Sequence, residues 1–349
     1  MITIVQGISG TYFTSGIPDA EVSTSAQRVQ VRATVAGAEI YNETLFTIAS
    51  KLRLRDLGAL FEPYVKKRLY AAITLTFTEL TADGTPDAAT AKQMAANAAY
   101  CSADIGTTAA DFLSKHFLSV LCGTKRTDIG RLEYLHYIGT ETPTGTAFYG
   151  DGTTRTFTPP TIAGNADYKT INVSPSYAVQ SGKALTHYDV TAGQRTQRFA
   201  IFHATNEASP ALVFENSFGV DEVAYCTGTH EVKPEYERGQ GYVGGIFRNY
   251  RIDETRTHSA ATGILTPPMA VWFDEVFRSP NVRLLNFIGG APEVGKEITI
   301  TESKSENSNA ADAMPSFTFS YRIGQRRQNV LAVGSAGRIF DTTFCNTFN

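Results

Sequence analysis

The stretch LYAAITLTFTEL sets Ile73, Leu75 and Phe77 in strict alternation with Thr74, Thr76 and Thr78. A strand turns successive side chains to opposite faces, so a period of two buries one face and wets the other, which no helix does with the same order of residues. The rhythm returns in QRVQVRATV (Val29, Val31, Ala33, Val35), YKTINVS (Ile171, Val173), KEITITES (Ile298, Ile300) and PSFTFSYRI (Phe317, Phe319, Tyr321). An apolar face opposite a Thr, Ser or Arg face predicts antiparallel sheets with a solvated side. Turn signals such as ADGTPD, YGDGTT and FIGGAPEVGKE separate these runs at the spacing of sandwiches and barrels. The fold expected is mostly β: two β-sandwich or barrel-like domains, each with a short covering helix.

Helices are few. RDLGALFEPYVKK (Leu57, Leu60, Phe61, Tyr64, Val65) and TPPMAVWFDEVFRS (Met269, Trp272, Phe273, Val276, Phe277) each place five apolar side chains on one helical stripe. Asp56 and Thr266 are candidate N-caps, Pro267 suits the first helical turn, and Pro63 should end or kink the first helix. A third helix is expected in TTAADFLSKHF, with Thr108 as its cap. HATNEASPALVFENSFG interrupts the strand QRFAIF with small, polar and proline residues, so the chain divides near Asn206. The reading is a β-rich domain over 1–205, with a split near 81–100 as an alternative, and a second over 206–349 carrying one helix near 267–278. No residue-by-residue repeat is visible.

At 349 residues the chain can bury its cores without disulfides or metal, and a formal net charge of −3 gives no electrostatic case for nucleic acid or an anionic membrane. Cys101, Cys122, Cys226 and Cys345 are scattered without framework spacing, so free thiols are expected. The N-terminus, MITIVQGISGTYFTSG, lacks the basic and apolar regions of a secretory signal, and no stretch reaches the ~18 apolar residues of a spanning helix. Synthesis in the cytosol and no membrane insertion are the expectations.

No stretch carries a specific chemical signature. Cys226 and His230 stand four apart in AYCTGTHEVKPEYE with Glu231, Glu235 and Glu237 nearby, yet zinc takes four ligands, usually as two close pairs, and no second pair follows. GAPEVGKE departs from the phosphate loop at Glu297, and GQGYVG follows the charged KPEYER and opens no helix, so both read as loops. The adjacent acids Asp221 with Glu222, Asp253 with Glu254 and Asp274 with Glu275 resemble a glycosidase pair only in composition, since neighbours on a strand point apart. No enzyme, cofactor or metal is expected.

FRNYRIDETR carries aromatic and arginine side chains on both faces, with Phe247 on one and Tyr250 on the other, so it is either a central strand or a strand covered by a partner. Arg326 and Arg327 in YRIGQRRQNV read as surface or interface salt-bridge partners. Phe340, Phe344 and Phe348 recur every four residues in GRIFDTTFCNTFN, where Thr342, Thr343, Asn346 and Thr347 disfavour helix. An extended segment with three rings on one side follows, serving either as a closing strand or as an arm added to a neighbouring subunit.

YCSADIGTTAADFLSKHFLSVLCGTKRT, GRLEYLHYIG, LVFENSFGVDEVAYCTGTHEVKPEYERG, FRNYRIDETR and GRIFDTTFCNTFN together resemble tail- or baseplate-associated structural proteins of phages and prophages of Bacteroides-type bacteria. The resemblance runs from LRLRDLGALFEPY to the last residue and supplies no catalytic residue. It implies a non-enzymatic virion protein, made and assembled in the host cytoplasm. Such a protein would act as a ring or trimer of itself in contact with other tail proteins. A receptor- or glycan-binding module, with Tyr242, Phe247 and Tyr250 stacking on a host-surface sugar, is the alternative.

Overall fold

The computed structural model describes residues 1–203, 209–288, 291–305 and 314–324. Its described residues are mostly β, in five sheets around several hydrophobic cores, and no sheet closes into a barrel.

The first unit pairs Arg28–Val35, Ala38–Phe46, Tyr70–Glu79 and Lys92–Ala99 antiparallel and adds Thr11–Phe13 in parallel at one edge. A small sheet of Thr3–Gln6, Ala20–Ser23 and Lys51–Leu54 shares its core, so the two form a sandwich. The alternation expected from sequence is what buries Val29, Val31 and Ala33 against Ile73, Leu75 and Phe77. Helix α1 (Leu57–Lys66) adds Leu57, Phe61 and Val65 to that core and leaves Tyr64 exposed. Pro63 lies inside α1 and neither ends it nor removes it from the core, although its missing N–H forfeits one bond of the helical ladder. The split considered near 81–100 would cut this sheet, because Lys92–Ala99 pairs along Tyr70–Phe77.

The second unit is another sandwich. Thr154–Phe157, Thr144–Tyr149, Leu185–Ala192, Arg195–Ile201 and Lys125–Thr127 form one sheet, and Tyr134–Ile138, Tyr168–Asn172 and Thr161–Gly164 the other. Leu135, Tyr137 and Ile171 pack from the small sheet onto Ala147, Tyr188, Val190 and Phe199. Helix α2 (Ala109–Lys115) covers neither face. It sits where the units meet, with Phe112 against Phe13 of the first unit and Phe218 of the third at centroid separations of 5.6 and 5.2 Å.

The third unit is one seven-stranded sheet in the order Asp221–Tyr225, Ala211–Glu215, Val282–Ile288, Ala291–Lys304, Thr318–Ile323, Ile246–Ala261, His230–Val243. Helix α3 (Pro267–Arg278) covers one face, burying Met269, Trp272, Phe273 and Val276 on Leu212, Phe214, Phe317 and Phe319. The opposite face is covered at one end only, where Ala211, Val213, Val223 and Leu285 meet Leu132 and Tyr134 of the second unit. Its other end stays polar.

Candidate assembly arm

Two strands outgrow the third sheet. His230–Val243 and Ile246–Ala261 pair with each other over their whole length, but the sheet meets them only where His258–Ala261 pairs with Thr318–Tyr321. From the Lys233↔Thr257 pair outward the ladder is a free two-stranded ribbon among the described residues, roughly 40 Å long at ~3.3 Å per residue. Gly244 and Gly245 close it, both at positive φ (63° and 79°), as the tight turn that matches strand twist requires.

The register assigns the two faces of this arm. Tyr242 stands opposite Phe247 and Arg238 opposite Ile252; with Tyr236 and Val232 they alternate along one face. The Tyr242 and Phe247 rings meet edge to face at 5.8 Å, and the Arg238 guanidinium lies 5.2 Å over the Tyr236 ring. The register shifts between Gly239 and Gln240, which makes room for Tyr250 on the other face. There its ring lies over the glycines of the facing strand: a Cβ on Gly239 would come within 2.9 Å of it. Tyr242, Tyr250 and Phe247 are 73 %, 72 % and 60 % exposed.

At the root, His230, His258 and Tyr321 stack, with His258 on Tyr321 at 4.8 Å. His230 Nε2 lies 3.1 Å from the Tyr321 hydroxyl and 3.4 Å from His258 Nδ1. Burial and the facing imidazole hold His258 below the usual histidine range. A shallow groove of about 480 Å³ on the polar face runs past Glu231, Ser259, Glu302, Lys304 and Ser320.

Phe247 and Tyr250 therefore lie together on the arm, on opposite faces as expected, and no other part of the described chain covers them. Arg326, Arg327, Phe340, Phe344 and Phe348 lie outside the described residues. GQGYVG and GAPEVGKE are corrected from loops to hairpin structure: the first runs along His230–Val243 into the tip turn, and most of the second lies on Ala291–Lys304. Cys226 is buried and its thiol pushed up to about 12 by that burial, so it is no ready ligand beside His230. No group of three metal-ligating side chains occurs among the described residues. Cys101, Cys122 and Cys226 are free thiols, whereas Cys345 lies outside the described residues.

Each adjacent acid pair does point apart. Asp221 binds Arg283 at 2.6 Å, while Glu222 turns inward to the Trp272 Nε1–H at 2.6 Å and the Asn216 amide. Burial pushes the Glu222 carboxyl up, opposed by Lys125 and these two donors. Asp274 faces Arg278 at 2.7 Å, and Glu275 accepts from the Ser217 hydroxyl. Sequence reasoning missed Lys125 and Glu133, a buried pair at 2.6 Å, because GTKRTD and GRLEYLH look like ordinary charged surface.

No family model and no curated protein matches the chain. Among solved structures, tandem Ig domains of titin match at 14 % identity over 58 % of this chain and 96 % of theirs, with a TM-score of 0.25. The baseplate of the anti-feeding prophage matches at 14 % identity over 36 % of this chain and 95 % of its own, with a TM-score of 0.21. Rst D1-D2 matches at 7 % identity over 57 % and 98 %, with a TM-score of 0.23. No helix among the described residues is long and apolar enough to cross a membrane.

Proposed function

We propose that this chain is a non-enzymatic structural protein of a phage tail or baseplate, acting through homo-oligomeric assembly and contacts with other tail proteins. The observation that carries the reading is the arm: a two-stranded ribbon with aromatic side chains exposed on both faces. An isolated hairpin is marginally stable in water, and exposed apolar surface of this kind marks an interaction site. The sequence resemblance to tail proteins supplies the setting, a virion assembled in the host cytoplasm, and the low structural similarities add no weight to it. The test is sedimentation of the full chain beside a variant whose residues 233–257 are replaced by Asn-Gly, so that the turn joins the Val232↔His258 pair. The full chain should sediment as a ring or trimer, or as another fixed oligomer, and the shortened chain as a monomer with unchanged melting temperature. A full chain that stays monomeric at tens of micromolar, and fails to label purified tail particles through an antibody, overturns the proposal.

Tyr242 and Tyr250, flat rings exposed near the arm tip, favour glycan stacking as the second reading. Binding to bacterial-surface polysaccharide that disappears in Tyr242→Ala with Tyr250→Ala, while assembly persists, would select it.

A further inference from the structure

The arm hangs from the sheet by four pairs, and the outermost, His258↔Tyr321, carries a cluster of rings. His258 stacks on Tyr321 at 4.8 Å and on His230 of the facing strand at 5.5 Å, the rings within 15° of parallel. His230 Nε2 stands 3.1 Å from the Tyr321 hydroxyl and 3.4 Å from His258 Nδ1, so one hydrogen fills the space between the two imidazoles, whichever ring carries it. His258 Nε2 is buried with no hydrogen-bond partner among the described residues. With the hydrogen on Nδ1, a neutral His258 leaves only a lone pair there. An imidazolium must carry hydrogens on both nitrogens and bury one of them, charged, without an acceptor. The neighbouring charges oppose that cation too. Arg256, two residues along the same face, repels it, and Glu254 on that face is already bonded to Arg256. From the facing strands come His230 and Tyr321, with Cys226 beyond, and burial pushes the Tyr321 phenol and the Cys226 thiol up, so both stay uncharged. Glu231, Lys233 and Glu302 lie on the other face of the sheet.

We infer that the stack of His230, His258 and Tyr321 is an acid-released latch: a proton taken up by His258 breaks the outermost pair and frees the arm to move against the sheet. Burial, the facing His230 and Arg256 keep the latched imidazole below the usual histidine range, and a released one, in water, returns to it. Between those two values the released form binds more protons, so falling pH favours release and rising pH holds the arm in place. Once the latch opens, only the three pairs at Ser259–Ala261 remain to hold a ribbon roughly 40 Å long. How the arm is held does not depend on which surface it meets.

Hydrogen exchange of the full-length chain between about pH 7 and 5, corrected for the intrinsic pH dependence of amide exchange, tests the latch beside His258→Phe, which keeps a ring to stack on Tyr321 but takes no proton. Protection of the amides in 256–261 and 318–323 should fall at least about tenfold further in the wild type than in the variant, the factor that goes with one unit of pKa difference. The amides of α3 should respond to pH alike in both chains, which separates local release from a general loss of stability. The midpoint of the wild-type fall should match the titration of the His258 ring followed by NMR. No difference between the chains at the arm root, or an equal difference in α3, overturns the latch. If His258→Phe does not fold, the wild type decides alone: protection that ignores pH at the arm root, or falls with a midpoint away from the His258 titration, overturns it as well.

Discussion

His136 is a base kept neutral by its surroundings. Its ring is buried in the second unit, with Nε2–H donating to the Asp221 carbonyl of the third at 2.7 Å and Nδ1 3.0 Å from the hydroxyls of Tyr168 and Thr170. Burial pushes its pKa down to about 4, against the opposing pull of the Asp221 carbonyl and carboxylate and with some help from Lys125. The unfolded chain takes up this proton near pH 6.5, whereas the folded one does so only near 4. Between those values the unfolded state binds more protons, so stability falls as pH falls, by about 3 kcal/mol across the window, and changes no further below it. Denaturant titrations from pH 7 to 4 should show this loss in the wild type and a shallower slope in His136→Gln. Identical slopes would mean that the imidazole titrates normally in the fold. Nothing in LEYLHYIG announces the role, since a histidine at an alternating position suits either face until the neighbouring unit packs on it.

Caps separate what local sequence determines from what it only permits. Thr108 and Thr266 each precede a helix with extended backbone, and both qualify by residue type. Only Thr108 makes the bond, accepting from the Asp111 N–H at 3.3 Å; Thr266 makes no side-chain cap, and Pro267 sets the first turn of α3 instead. Asp56 likewise precedes α1 without a side-chain cap, in a left-handed conformation. Thr108→Ala should therefore cost ~1 kcal/mol and Thr266→Ala only a few tenths, read as shifts in denaturant midpoint. Equal losses would refute the distinction. The helical stripes were legible because burial follows period, as Phe61 and Trp272 confirm. GQGYVG on the arm and APEVGKE on Ala291–Lys304 were not, because glycine and, in the second, charge break the apolar alternation, and pairing with the adjacent strand of each one's own hairpin holds them extended. What sequence did reveal of the arm was FRNYRIDETR, whose two-sided aromatics fit no ordinary half-buried strand.

At the scale of the whole molecule, the units are joined by buried polar groups as well as by apolar contact. Lys125, on the edge strand of the second unit, donates to Glu133 at 2.6 Å and to the Val223 carbonyl of the third unit at 2.7 Å, and its ammonium lies 4.7 Å over the Trp272 ring of α3. One cation thus ties a sheet, a neighbouring sheet and a helix together. Glu133 is fully buried, and its Oε1 has no hydrogen-bond partner among the described residues, so the lysine is its main compensation. Removing one member of a buried pair strands the other's charge and typically costs ~3–5 kcal/mol, whereas replacing both with apolar groups of similar volume is often nearly neutral. Lys125→Met should therefore destabilise the chain by several kcal/mol, and because Val223 and Trp272 lose their contact at the same time, the third unit should melt apart from the second. Calorimetry reads both effects: one shared transition in the wild type, two in Lys125→Met. Adding Glu133→Leu to Lys125→Met removes the stranded carboxylate and should recover most of the lost stability. It should not restore the single transition, since the bond to Val223 and the contact with Trp272 stay broken. If the double variant is as unstable as the single one, the loss comes from packing around Trp272 and not from the charge of Glu133.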